Sequence, residues 1–155
     1  MIEKATKTDI RILTLITKKS KAYWGYSEKQ ILEWSNLLTI TNEYLEKNYV
    51  FKLIDNYKII GYYSYFYDSD SIILDNLFIL PEFIGKGFGK ILMHHFLNKV
   101  KDSQLKRILL DSEPNAEKFY TKFGFIKIGE IKTSIPDRFL PVMELQLSKI
   151  KTHQK

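Results

Sequence analysis

The sequence contains no cysteine in 155 residues. Disulfides, cysteine-ligated metal and thiol catalysis are therefore excluded, which fits a reducing compartment. No apolar run approaches membrane-spanning length, and the opening MIEKATKTDI lacks the apolar core of a signal peptide. A cytoplasmic protein with no membrane partner is the expectation. Internal repeats, low-complexity segments and Gly/Ser/Pro linkers are absent too. The chain reads as one domain over residues 1–147, followed by a basic tail at 148–155 that is expected to fray. A hydrophobic content of 45% suits a soluble domain of this size. The net charge of +6 favours an anionic partner in principle. The lysines are scattered, however, so a solvated basic surface accounts for them and nucleic acid is not an expected partner.

What is present centres on Leu74 to Leu92, LDNLFILPEFIGKGFGKIL. The apolar run from Ile72 to Leu80 reads as a strand buried on both faces. Pro81 ends it, having no N–H to donate. Gly85, Gly87 and Gly89 then alternate up to Lys90. Glycine there permits positive φ and lets a ligand approach the main-chain amides. The helix that follows points its free N–H groups at the turn, an anion site suited to phosphate. Lys86 and Lys90 add positive charge. A plain tight turn accounts for the glycines equally well. Two known phosphate motifs fail. A P-loop built on Gly89-Lys90 needs Gly at Ile84 and Ser or Thr at Ile91. The dinucleotide fingerprint needs a third glycine where Lys90 or Leu92 stands, although Asp111 is a tempting ribose partner.

Ahead of this stretch, Met1 to Thr6 reads as a short strand. Thr8 and Asp9 are helix-start residues for a segment to about Ser20, with Ile12, Leu13, Leu15 and Ile16 as its apolar face. Lys21 to Tyr26 is an aromatic loop. Ser27 and Gln30 form a capping box for a helix to about Leu38, burying Ile31, Leu32, Trp34, Leu37 and Leu38. Thr41 to Lys47 is a helical turn. Tyr49 to Ile54 and Lys58 to Tyr67 pair as a hairpin around Asn56-Tyr57. Gly61 marks a bulge or a close backbone approach. The helix after the glycine turn runs to about Lys101 and faces the sheet with Ile91, Leu92, Phe96, Leu97 and Val100. His94 and His95 are neighbours that point apart, so they form no metal pair and no metal is expected. Arg107 to Leu110 is the next strand, in a right-handed parallel unit with the central one.

A second informative stretch is Asp111 to Phe125, DSEPNAEKFYTKFGF. Pro114 or Asn115 starts a short helix, Gly124 ends it, and Ala116, Phe119, Tyr120 and Phe123 share a face. Strands at Ile126–Ile131 and Phe139–Leu147 follow, linked through Ser134 to Arg138.

The Pro-ended strand Leu77 to Glu82 and the Gly85-Lys86-Gly87-Phe88-Gly89 turn resemble the acetyl-CoA motif of the GNAT superfamily of N-acetyltransferases. Ile84 stands where that motif has Arg or Gln. Asn115-Ala116, Phe119-Tyr120 and Gly124-Phe125 resemble the family's second signature. The two occur in the family's order, one helix and one strand apart.

The resemblance implies an α/β fold, a central mixed, mostly antiparallel sheet flanked by helices. It implies an acyltransferase that moves an acetyl group from acetyl-CoA to a primary amine by direct attack in a ternary complex. Gly85, Lys86, Gly87, Phe88, Gly89 and Lys90 would hold the diphosphate. Phe78 and Ile79 would run beside the pantetheine arm, with a main-chain N–H facing the thioester oxygen. Asn115 would hydrogen-bond the arm or the strand edge, against plain helix capping, and Lys122 would meet the nucleotide phosphate, against an ordinary exposed helix lysine. Tyr120 would protonate the leaving thiolate; on the residues alone, a buried aromatic cluster explains it as well. Asp75 and Glu113 are candidates for the base. Tyr23 and Tyr26 would shape the acceptor pocket, against simple packing of a helix corner. The acceptor, a small molecule or a peptide, is not specified, and the oligomeric state is open, with a homodimer among the options. Two other readings share this fold: a silent acyl-CoA-binding module, and a basic protein- or nucleic-acid-binding domain.

Overall fold

The computed structural model describes residues 1–133 and 138–153. The stretch 134–137 of the expected final loop lies outside the described residues. The chain divides into two compact units, Met1–Phe66 with Asn76–Asn98, and Tyr67–Asp75 with Lys99–Lys155.

In the first unit β1 (Ile2–Lys4) leads to α1 (Ile10–Tyr23) through a single 3-10 turn at Lys7–Asp9. Asp9 stands at the N-cap of α1, as expected, and Thr6 opens the 3-10 turn before it, its amide donating to the Asp9 carboxylate at 2.8 Å. Lys52 donates to the same oxygen at 2.8 Å, so Asp9 tolerates burial. Leu13 and Ile16 are fully buried, but Leu15 is 44% exposed. Thr17 and Ser20 take its expected place on the inner face. Both bring hydrogen bonds with them, Thr17 to the Tyr62 hydroxyl at 2.6 Å and Ser20 to the Ile79 carbonyl at 3.0 Å.

The Ser27–Gln30 capping box forms as expected. The helix behind it is two pieces, α2 (Glu28–Glu33) and α3 (Ser35–Leu38), broken at Trp34 with φ −95° and ψ 10°. Ile31, Trp34 and Leu38 share the half-buried face, and Leu32 and Leu37, each one position off it, face solvent instead of the core. Thr41 caps α4 (Asn42–Lys47).

The hairpin of β2 (Tyr49–Asp55) and β3 (Lys58–Asp68) turns on Asn56 and Tyr57, both at positive φ. Pairs shift register beside Gly61. A Cβ on Gly61 would lie 2.7 Å from the Phe78 carbonyl oxygen, so this glycine permits close approach of two backbones. Tyr62, Tyr63 and Tyr65 are buried. The Tyr63 hydroxyl meets His95 Nδ1 at 2.6 Å, which gives that histidine a structural partner.

Next come β4 (Ser71–Ile79) and α5 (Phe88–Val100). Leu92, Met93 and Phe96 are fully buried, whereas Ile91, expected on the sheet side, is 48% exposed. Met93 fills the inner face that Ile91 leaves.

The second unit holds β5 (Arg107–Asp111), α6 (Glu117–Lys122), β6 (Ile126–Lys132), β7 (Phe139–Gln146) and α7 (Leu147–His153). β5 is parallel to β4 from Ser71↔Arg107 to Ile73↔Leu109 and antiparallel to β7. The strand order is β1-β2-β3-β4-β5-β7-β6, a mixed, mostly antiparallel sheet. The tail expected to fray from residue 148 is instead helical to His153, because Leu147 and Ile150 are buried one turn apart. No helix among the described residues is long and apolar enough to cross a membrane.

Candidate active site

The glycine turn belongs to the first unit and is built by its flanks. Pro81 opens a 3-10 turn over Pro81–Phe83, closed by Phe83 and Ile84 amides donating to the Leu80 and Pro81 carbonyls. Phe83 packs edge-on against Phe88 at 5.9 Å, so two rings brace the loop between them. Lys86 lies over the Phe83 ring at 5.6 Å. Gly85 and Gly87 take φ of +83° and +87°, the left-handed region that a side chain disfavours. A Cβ on either would meet no protein atom within 4 Å. The need for glycine is thus conformational on the protein side, and the space above the turn is open. The Ile91 amide donates to the Gly87 carbonyl, which makes Gly87 the cap of α5. The first-turn amides, including those of Phe88, Gly89 and Lys90, have no intrahelical partner. With the helix dipole they present an anion site. Gly85, Lys86, Gly87 and Lys90 are exposed there, while Ile84 is half-buried.

The end of β4 is fixed firmly. The Ile79 carbonyl accepts from Ser20, and the Leu80 amide donates to Ile60 at 2.8 Å. Asn76 donates to the Tyr44 and Ser64 hydroxyls at 2.9 and 3.1 Å. Neither Ser20 nor Asn76 stands out in the sequence as a support of this strand; an Asn inside an apolar run is the one available signal. Phe78 is half-buried, with the Lys21 ammonium 5.7 Å from its ring. The same ammonium lies 5.2 Å from the Tyr26 ring. Tyr26 is buried and packs edge-on against Trp34, so the helix-corner role describes it. Tyr23 is 52% exposed and is the loop aromatic that faces solvent.

The second unit carries the titratable groups. Tyr120 sits on α6 with only 8% of its surface exposed, edge-on to Phe119 and Phe125. Burial pushes its phenol well above the ordinary range, and the charge of Glu113 adds to the shift. The hydroxyl therefore stays protonated at neutral pH. Glu113 is half-buried and lies 3.6 Å from the Arg138 guanidinium. That partner, missed in the sequence, offsets its charge. Ser112 is fully buried at the end of β5 and donates to the Glu113 carbonyl at 2.6 Å. Asn115 is exposed in the turn Pro114–Ala116, and no side chain caps that turn or α6, so the capping role does not describe it. Lys122 is exposed.

Asp75 is exposed on β4, two residues past the Ile73↔Leu109 pair with β5, and Asp111 holds the equivalent place on β5. Local desolvation, then the charge of Asp75, hold the Asp111 carboxyl above the usual carboxylate range. A depression of about 680 Å³ at the other end of β5 is lined by Lys106, Arg107 and Glu144 among others, and contains none of the expected site residues. Among the described residues no group of three His, Asp or Glu could hold a metal.

The family model for an acetyltransferase (GNAT) domain matches residues 25–143. The chain belongs to the GNAT acetyltransferase family. Among curated relatives of this GNAT chain, the [ribosomal protein bS18]-alanine N-acetyltransferase of Haemophilus influenzae is 32% identical over 111 residues, 70% of this chain and 75% of that one. An uncharacterized N-acetyltransferase, ycf52, of Porphyra purpurea is 41% identical over 49 residues, and the match spans only 28% of that relative's length. Among solved structures, the PaiA N-acetyltransferase of Thermoplasma acidophilum in complex with coenzyme A superposes with a TM-score of 0.79 at 19% identity, over 94% of this chain and 98% of that one. At that identity the likeness is one of fold.

Proposed function

We propose that this GNAT protein transfers an acetyl group from acetyl-CoA to a primary amine by direct attack, without an acyl-enzyme. The observation that carries the reading is the turn itself: a strand ended by Pro81, positive φ at Gly85 and Gly87 with open space above them, and the N-terminus of α5. Its amides suit the diphosphate, with Lys86 and Lys90 adding charge. Since main-chain groups do the holding, Ile84 removes no essential contact. Phe78 and Ile79 lie beside the pantetheine arm in this reading, and a main-chain N–H of the strand end polarises the thioester carbonyl. Asn115 offers its amide to the arm and Lys122 its charge to the nucleotide phosphate.

The amine must be neutral when it attacks. Asp75 and Glu113 are the carboxylates assigned to take its proton, and Asp111 joins them because its raised pKa favours proton uptake. Attack forms the C–N bond and breaks the C–S bond. The departing thiolate takes its proton from the Tyr120 hydroxyl, and the proton that the new amide nitrogen loses restores the phenol. The 32% identical relative acts on an alanine of a ribosomal protein, so a peptide amine stands beside small amines as the acceptor class, with Tyr23 on its path.

The test is calorimetric titration with acetyl-CoA and with free CoA, followed by a thiol-release screen over an alanine-terminated peptide and spermidine. Micromolar binding and amine-dependent thiol release are expected. Absence of binding at millimolar cofactor would remove the enzyme reading.

A further inference from the structure

β6 ends the strand order, and among the described residues β7 is its only hydrogen-bonded strand neighbour. Every one of its residues is exposed. Ile126, Ile128 and Ile131 are 54%, 49% and 43% exposed, so the strand is apolar as well as open. Proteins usually keep such edges short, charged or covered. The strand at the other end, β1, follows that rule with three residues.

The second observation is the register. Pairing with β7 slips between Lys127 and Gly129, which leaves Ile128 as an extra residue. On either side of it Ile126 opposes Glu144 and Ile131 opposes Leu140, while Lys127 opposes Met143 and Glu130 opposes Pro141. Opposed residues share a face, and faces alternate along β7. Ile126 and Ile131 therefore lie on one face, Lys127 and Glu130 on the other. Without the extra residue, Lys127 and Glu130 would point to opposite sides.

The strand thereby complements itself. An antiparallel second copy, related by a two-fold axis between Ile128 and Gly129, sets each Ile126 against the other copy's Ile131. It also sets each Lys127 against the other copy's Glu130. Both kinds of pair fall on matching faces. Within one chain Lys127 and Glu130 already form an ion pair at 2.5 Å, and association would exchange the two intrachain pairs, one from each copy, for two across the axis. An unrelated extended peptide would meet the same open backbone but not this symmetry.

We propose that β6 is the docking edge for a second copy of this chain, joining two sheets through an antiparallel β6–β6 pair. The inference does not depend on the acetyl-transfer reading. The test is sedimentation of the full chain and of two single variants, Lys127→Glu and Glu130→Lys, with far-UV circular dichroism to confirm folding. The unaltered chain is expected at about twice 18.4 kDa. Each variant alone places like charges opposite one another, and dimer affinity should fall roughly tenfold or more. Mixing the two variants should restore association, because the introduced glutamate then faces the introduced lysine and the two original side chains face each other. Charge clashes within each chain are unchanged by mixing, so recovery reports the pairing between chains. A monomeric unaltered chain, a dimer that neither variant weakens, or a mixture no better associated than its components would each overturn the proposal.

Discussion

Asp75 on β4 and Asp111 on β5 hold equivalent places two residues beyond Ile73↔Leu109, the last pair of these parallel strands. Desolvation and the charge of Asp75 keep the Asp111 carboxyl above the usual carboxylate range. The folded chain thus binds this proton at a pH where the unfolded chain has released it. Stability contributed by this group falls as pH rises through that window, and the cost is absent below about pH 3.9, where both states are protonated. Asp111→Asn should therefore raise the melting temperature at neutral pH and lose that advantage at pH 3. Asp75→Asn should lower the pH at which Asp111 titrates, read by carboxyl NMR.

Asp9 predicts the opposite sign. Burial raises its pKa, but hydrogen bonds from Lys52 and from the Thr6 amide, with the Lys52 charge, outweigh burial and leave it lowered. This stability is present above the unfolded value and is lost as pH falls through the folded one. The side chains of Asp9 and Lys52 are only 8% and 13% exposed, so Asp9→Ala leaves a nearly buried ammonium without its partner. A loss of about 3 kcal/mol is expected at neutral pH, shrinking on acidification. Denaturant titrations at neutral pH and below pH 4 would measure both.

Most of this fold was legible where one local signal decided it. The Ser27–Gln30 box, the Thr41 cap, the Pro81 stop and the Gly124 cap each satisfy backbone groups within a few residues of themselves. Long-range partners left no such trace. Nothing near Ser20 says that it serves the Ile79 carbonyl, and nothing near Glu113 points to Arg138. Leu32 and Leu37 misled because apolar type alone put them on the inner face, whereas each lies one position off the face of Ile31, Trp34 and Leu38. In the candidate site the glycine turn was readable from type and spacing. The raised carboxyl of Asp111 was not, since it arises from a strand more than thirty residues away in sequence.

Tyr57 gives a stabilising prediction. It lies at the hairpin tip, fully exposed, with φ of 63°. A left-handed conformation costs a bulky residue roughly 1–2 kcal/mol, and glycine gives back part of that through chain entropy. Asn-Gly is the preferred pair for such a turn. Tyr57→Gly should therefore add about 0.5–1 kcal/mol, seen as a higher denaturant midpoint with an unchanged slope.

Gly85 and Gly87 separate backbone strain from ligand contact. Alanine at either place meets no protein atom, so its effect on folding is the conformational cost alone, about 1 kcal/mol. A ligand drawn onto the amides would meet the new methyl group. Calorimetry should then show CoA affinity falling well beyond what the small stability change explains. Equal, modest losses in both would mean that the cofactor does not approach this turn.

Tyr120→Phe removes one oxygen from a ring that is otherwise buried. The ring keeps its edge-on contacts with Phe119 and Phe125. Among the described residues no hydrogen bond is lost with the hydroxyl, so stability should barely change. The shift of the phenol by burial and by Glu113 keeps it protonated through the accessible pH range. A group in that state can donate a proton but cannot serve as a base. If it protonates the departing thiolate, the variant should bind acetyl-CoA as the unaltered protein does and turn over about 10²–10⁴ times more slowly. The deficit should narrow with acyl donors whose thiolate leaves without help, because a weakly basic sulfur gains little from a proton. A uniform deficit across donors would point to positioning, and an unchanged rate would leave Tyr120 as a packing residue. Steady-state rates with a series of acyl thioesters of decreasing thiol pKa separate these three outcomes.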